Sequence, residues 1–391
     1  MKLIKNNFPK WPYFTNKEIV EVSKLLRSGK VNYRNGIYSK KFEDKFSKYI
    51  GTKYGIGLFN GSVAIELALR AIGIESGDEI IVTPRSFIIS SSIPILFNAK
   101  PIFADIDENT LGLTLNSIKK VFSKKTKAII AVHLGGTPCD IVEISKFAKK
   151  NNISLIEDCS QAHGASINKK KVGSFGRIST FSFCKDKIIS TGGEGGMILT
   201  NEKKLFRKIY EYKDHGKNIN QQKNFLLKYN YIHNSYGSNY RITEFQSCLG
   251  IIQLEKLNKN LDKRNNLVKS IYKITSKYPE VIRLPIINAN NYNAFYVCYL
   301  FLKKDGIKKG INLIKVISYL RKLGIESTIG ACPELYKEKV FKNYVSKKFY
   351  LKNARKLSTE TLCLNINHNF TKKYLNIYLK NLENVLKNIK K

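Results

Sequence analysis

Five apolar, β-rich runs at 55–59, 79–83, 101–106, 127–133 and 153–158 alternate with helical patterns at 62–73, 87–96, 115–124 and 140–150. That alternation leaves little choice of architecture. Strands separated by helices run parallel, and the helices then cover both faces of the sheet. Two helical runs, 17–28 and 39–50, come before this series, and β-type segments at 179–183 and 195–200 follow it. From Thr243 a long helical pattern is predicted to leave the sheet and cross to a second unit. There, 295–303 alternates like a strand, and 312–323 and 370–389 read as helices. The expectation is an α/β protein with a large domain over 1–255, including an N-terminal helical segment, and a smaller α+β domain over 256–391.

The chemistry concentrates between Ile156 and Thr200. Asp158 ends an apolar run, Gln161 follows three positions later, and Lys187 lies in a β-rich, glycine-flanked stretch. Taken singly, these are most simply a turn residue, a polar loop residue and a solvated lysine. As an ordered set they match what pyridoxal phosphate requires. A lysine amine carries that cofactor covalently, and a carboxylate keeps its pyridine nitrogen protonated so that the ring accepts electrons. Upstream, Asn60-Gly61-Ser62 follows a strand and opens a helix, where free N–H groups and the helix dipole make an anion site. Ser62 as a plain N-cap is equally compatible with those residues.

The motifs resemble those of the DegT-type aminotransferases, enzymes that aminate keto sugars attached to nucleotides. The matching stretches are EDCSQAHGA (157–165), GSFG (173–176), FSFCKDK (181–187) and GGEGG (192–196). FNGSVAIELAL (59–69), VTPRSFI (82–88) and VHLGGTPCD (132–140) precede them; DHGK (214–217) and GSNYRITEFQSCLGIIQL (237–254) follow. The resemblance implies a PLP-transferase fold with a mostly parallel, seven-stranded type of central sheet. It implies that Lys187 is the catalytic lysine and general acid/base, and that Asp158 pairs with the pyridine nitrogen. Gln161 would contact the ring, Phe87 would stack on it, and Gly61, Ser62 and Ser182 would hold the phosphate. Asn239 would reach the phosphate of the neighbouring subunit, which implies a homodimer. His133, His163, His215 and Arg241 are candidate substrate contacts, as is His368, each weighed against a purely structural role.

A net charge of +38 raises nucleic acid or an anionic membrane as partners. The 68 Lys and Arg are spread along the whole chain rather than clustered, so a generic basic surface is expected, with neither partner. No run approaches the ~20 apolar residues of a membrane span, and the first residues do not read as a signal peptide. Seven scattered cysteines without a CxxC pair give no reason to expect a metal site or a disulfide framework. A cytoplasmic enzyme is the expectation.

The reaction expected from the resemblance is transamination. A branch of the family that dehydrates sugars carries His at the lysine position, and another holds iron–sulfur clusters; Lys187 and the scattered cysteines point away from both. The expected donor is L-glutamate, and the expected acceptor a keto sugar nucleotide used in surface polysaccharide or related glycans. FSFCKDK departs from the FSF-x-P-x-K form of the better-characterised sugar enzymes. A small phosphorylated ketone such as a triose phosphate therefore stays open as acceptor, as does a non-catalytic basic binding or regulatory protein on the same fold.

Overall fold

A computed structural model describes residues 8–219 and 233–391. Its central sheet contains β1 (Tyr54–Leu58), β2 (Glu79–Val82), β3 (Lys100–Phe103), β4 (Thr126–Val132), β5 (Ser154–Asp158), β6 (Ile178–Ser182) and β7 (Gly196–Thr200). Their order is β1-β7-β6-β5-β4-β2-β3. Strands β2 to β6 are parallel, and β7 runs antiparallel to both its neighbours. β4 shows why: Ala128, Ile129, Ile130 and Ala131 are all at 0% exposure, as a parallel strand covered on both faces requires.

Helices α2 (Tyr38–Ile50), α3 (Gly61–Ile72), α4 (Ile141–Lys150) and α5 (Lys203–Lys213) surround this sheet, and α1 (Asn16–Arg27) lies outside them with Leu25 against Cys248 and Ile252. Alternation along each strand divides the core into two layers. Ile130, Ile156 and Ile178 pack with Ala64 and Ile65 of α3 and Leu205 and Ile209 of α5. On the other face Ile129 and Leu155 meet Ile141 and Ile144 of α4, while Phe181 and Phe183 meet Phe42 and Phe46 of α2.

The second, antiparallel sheet is formed by β8 (Ile282–Arg283), β9 (Cys298–Leu302), β10 (Ser327–Thr328) and β11 (Thr361–Leu364), in the order β8-β9-β11-β10. Helices α7 (Leu313–Lys322) and α8 (Lys372–Ile389) cover it. Helix α6 (Glu244–Thr275) joins the two units and passes residue 255 without a break. Its Ile251 and Leu257 belong to the α2 layer, and its Leu267, Val268 and Ile271 to the core of the small unit. Among the described residues no helix is long and apolar enough to cross a membrane.

Two expected helices come out shorter. The 87–96 pattern forms a single α-turn at Ile89–Ser92 and then a 3₁₀ segment, Ile93–Phe97, containing Pro94. Proline has no N–H to continue the α ladder. The 115–124 pattern stops at Lys119, and Ser123 and Thr126 then form a side-chain turn into β4 (Ser123 N to Thr126 Oγ1, 3.1 Å).

Candidate active site

The candidate residues gather at the C-terminal ends of parallel strands, where open α/β sheets bind their ligands. Side-chain parity sets which face each one meets. Asp158 continues the alternation of Ile156, and Ser182 that of Ile178, so both belong to the α3 side of the sheet. Glu157, Phe181 and Phe183 go to the opposite side. Asp158 is 4% exposed. Its Oδ2 accepts from Ser90 Oγ at 2.7 Å, and its Oδ1 from the backbone N–H of Ser160 at 3.0 Å. Ser90 follows Phe87 in the same turn, and Phe87 stands 66% exposed. The turn that bonds the buried carboxylate therefore carries an open aromatic ring.

The start of α3 forms the second part. Asn60 is the N-cap, its Oδ1 accepting from Val63 N at 2.9 Å. This corrects the alternative in which Ser62 caps the helix: Ser62 sits inside the first turn. Gly61 allows the helix to approach β6, since a Cβ there would stand 2.7 Å from Ser182 Cβ. Gly196 does the same for β7, where a Cβ would come within 2.3 Å of Asn60 O. The first-turn N–H groups, the Ser62 hydroxyl and Ser182 are thus drawn to one end of the sheet.

Lys187 lies on the loop leaving β6. Cys184 and Gly193 pair across its base, with Lys185 N bonded to Gly193 O at 2.9 Å. The Lys187 Nζ is 5.0 Å from the centroid of the Tyr296 ring, and its carbonyl accepts from Trp11 Nε1 at 2.9 Å. Trp11 in turn lies edge-on to His368, ring centroids 4.7 Å apart. Gln161 is half-buried, with its Oε1 accepting from Gly135 N at 2.8 Å.

Burial takes three of the candidate histidines out of contact with solvent. His133 is at 0% exposure; its Nδ1 accepts from Cys139 N at 3.2 Å and its Nε2 faces Glu157 Oε2 at 3.1 Å. It has no atom left for a substrate. His163 is also at 0% exposure, with Phe181 and Phe183 both 5.6 Å away on the face opposite Asp158. Burial, helped by the Lys187 charge, pushes its pKa down to about 3. His368 is buried as well, and its pKa is likewise pushed down to about 3. His215 is exposed at a φ of 57°. Arg241 pairs with Asp214, which also binds Arg34 at 2.9 Å. Burial raises the Asp214 pKa, but the two arginines outweigh it and hold the carboxyl below its ordinary range.

Asn239 is exposed, and its segment lies beside the end of β1 through the Leu58–Arg241 and Asp214–Asn239 bridges. Glu157, Ser90, Tyr296 and Trp11 escape the sequence reading. Glu157 accepts from Gly173 N at 2.7 Å, Phe175 N at 2.7 Å and Gly176 N at 2.6 Å, which pins the GSFG loop. His133, Glu157 and Cys159 place their donor atoms within 4.8 Å of one another, but three backbone N–H groups already occupy the carboxylate. The adjacency of Glu157 to Asp158 was the available signal. Trp11 and Tyr296 are too far from Lys187 in the chain to have given one.

The sequence profile of the DegT/DnrJ/EryC1/StrS aminotransferase family matches residues 12–380. A GDP-perosamine synthase of Escherichia coli O157:H7 is 39% identical over 262 residues, 67% of this chain and 69% of the relative. The solved structure of an aminotransferase from Psychrobacter cryohalolentis superposes with a TM-score of 0.94 at 37% identity, covering 98% of this chain and 99% of the other. An E. coli GDP-4-keto-6-deoxy-D-mannose-3-dehydratase with bound hydrated PLP superposes at 0.83 and 25% identity, covering 95% and 99%. With its sheet order, its strand-end carboxylate and a match running almost end to end, this chain belongs to the DegT/DnrJ/EryC1/StrS aminotransferase family and is an aminotransferase.

Proposed function

We propose that the enzyme, as a cytoplasmic homodimer holding pyridoxal phosphate, moves an amino group from an amino acid, with L-glutamate the expected donor, to the ketone of a sugar carried on a nucleoside diphosphate. The product would serve surface polysaccharide or a related glycan. The observation that carries the reading is a primary amine at position 187, on the loop beside β6, with Asp158 and Ser182 on one face of the same strand ends. The resemblance to the family implies a histidine at that position in the dehydrating branch. The relatives named for GDP-linked sugars support the nucleotide-sugar acceptor.

The donor set suits the cofactor. The glycine at position 61 lets the start of α3 come close to Ser182, and helix N–H groups with two hydroxyls match a phosphate. Asp158 uses one contact on each oxygen and keeps lone pairs to accept another donor. Pyridoxal phosphate, when bound, supplies an electron-accepting ring. In this reading Asp158 holds a proton on the ring nitrogen through a charge-assisted bond. Gly61, Ser62 and Ser182 bind the phosphate, Phe87 and Gln161 orient the ring, and the Lys187 amine moves a proton at the reacting carbon. Asn239, exposed beside β1, serves the neighbouring subunit. His215, which is exposed, and Arg241, which is mostly buried and held by Asp214, are proposed to meet the sugar nucleotide.

A two-stage assay tests this. Enzyme loaded with cofactor is offered amino acids and the keto-acid product is measured; the aminated enzyme then meets GDP-, UDP- and dTDP-linked keto sugars and triose phosphates. Conversion of a nucleotide-linked keto sugar is the expected outcome. Conversion of triose phosphates alone would replace the acceptor, and donor turnover with no acceptor in the panel would reject the nucleotide-sugar reading.

A further inference from the structure

The small unit contains a cavity of about 900 Å³ that shares no residue with the site above. Leu302, Ile307, Ile311, Leu313 and Ile329 form its apolar walls, and the exposed Ile314 stands at its mouth. That volume lies within the range in which proteins hold small molecules. Backbone and side-chain bonds brace the loop that makes one wall. Lys308 N binds Ile389 O at 2.9 Å, Lys391 N binds Gly306 O at 3.1 Å, and Lys315 Nζ binds Gly310 O at 2.7 Å. The space is therefore formed before any ligand arrives.

The lining also restricts the ligand. It includes Lys304, Lys308 and Lys309, and among the described residues none of these three is within salt-bridge distance of a carboxylate. No acidic residue lines the cavity, which argues against a cation, and no aromatic ring does, which removes the stacking platform a nucleotide base uses. Apolar walls bordered by unpaired ammonium groups complement a molecule with a hydrocarbon body and an anionic head. We propose that this cavity binds a single-chain amphipathic anion, an acyl carboxylate or an alkyl phosphate, at a site separate from amino transfer.

The test uses the full-length, cofactor-loaded enzyme and dansyl-undecanoic acid. Saturable fluorescence enhancement with a blue shift is expected, reversed by dodecanoate and by dodecyl phosphate but not by dodecanol or inorganic phosphate. Reversing the border with the double variant Lys308→Glu/Lys309→Glu should weaken the probe about tenfold, and filling the cavity with Ile329→Trp should abolish binding. Amino-transfer activity in both variants reports that the fold survives. The proposal is overturned by absence of saturable binding, by equal displacement with dodecanol, by affinity unchanged in the charge-reversed variant, or by association only with anionic lipid vesicles.

Discussion

At the scale of single residues, the site rests on groups that have no substitute nearby. Lys185 is the closest alternative amine in sequence, but it is exposed, whereas Lys187 is half-buried with its Nζ over the Tyr296 ring. Lys187→Ala is therefore expected to lose roughly 10⁴-fold in turnover, and Lys185→Ala to stay within a few-fold of wild type. Borohydride reduction followed by peptide mapping checks the assignment, and cofactor trapped on Lys185 would refute it. Asp158→Asn can still accept from Ser160 N through its amide oxygen, but its NH2 must donate to Ser90 Oγ where the carboxylate accepted, and the charge is removed. The expected cost is about 10²-fold in turnover, or about 2.7 kcal/mol of barrier, with the unfolding midpoint nearly unchanged. An Asp158→Ala enzyme that binds cofactor and works normally would remove this residue from the chemistry.

At the scale of elements, close approaches determine how the layers meet. Gly250 of α6 packs against the Phe42 ring of α2, and a Cβ there would stand 2.5 Å from it. Intrinsic propensity favours alanine over glycine within a helix by about 1 kcal/mol. Overpacking a core costs about 1–3 kcal/mol, and because Phe42 is at 0% exposure it has no room to yield. Gly250→Ala should thus lower the chemical-denaturation midpoint despite the better helix former; a raised midpoint would show that the two helices slide apart freely. At the other end of the large unit, Asn60→Ala removes the α3 cap. The expected loss is about 1 kcal/mol of stability, together with weaker cofactor retention, measured as absorbance after dialysis.

At the scale of the molecule, two buried histidines make folding sensitive to acid. Burial, together with Lys187 for His163 and Arg264 for His368, depresses both folded pKa values to about 3, while an unfolded histidine titrates near 6.5. The unfolded chain binds these protons first. The contribution of these two histidines is therefore full above about pH 6.5 and falls as the pH drops toward 3, by up to about 1.4 kcal/mol per pH unit for each, while the buried His133, whose pKa is raised, acts in the opposite direction. Denaturation midpoints between pH 7 and pH 5 should lose this contribution in the wild type and not in the His163→Leu/His368→Leu double variant; equal slopes would contradict it. Subunit sharing has its own test. Mixed Lys187→Ala and Asn239→Ala chains should regain activity, because a heterodimer then contains one site with neither lesion. Proven subunit exchange without recovery would assign Asn239 to its own chain's site.

Local pattern alone was enough to predict the alternating strands and the helix from Thr243, because burial on two faces and helical periodicity are written in consecutive residues. The 282–283 and 327–328 strands carried no such signal; two residues show no period, and only pairing with a longer strand makes them strands. The same limit explains the site. Sequence singled out the amine, the carboxylate and the anion-binding turn as candidates, each marked by its neighbours in the chain. It could not separate a buried histidine from an exposed one, so His133 and His163 stood equal to His215 until packing closed around them. Ser90, Tyr296 and Trp11 meet their partners through contacts between residues 68, 109 and 176 positions apart. Such contacts form only when the two units and the start of the chain are folded together.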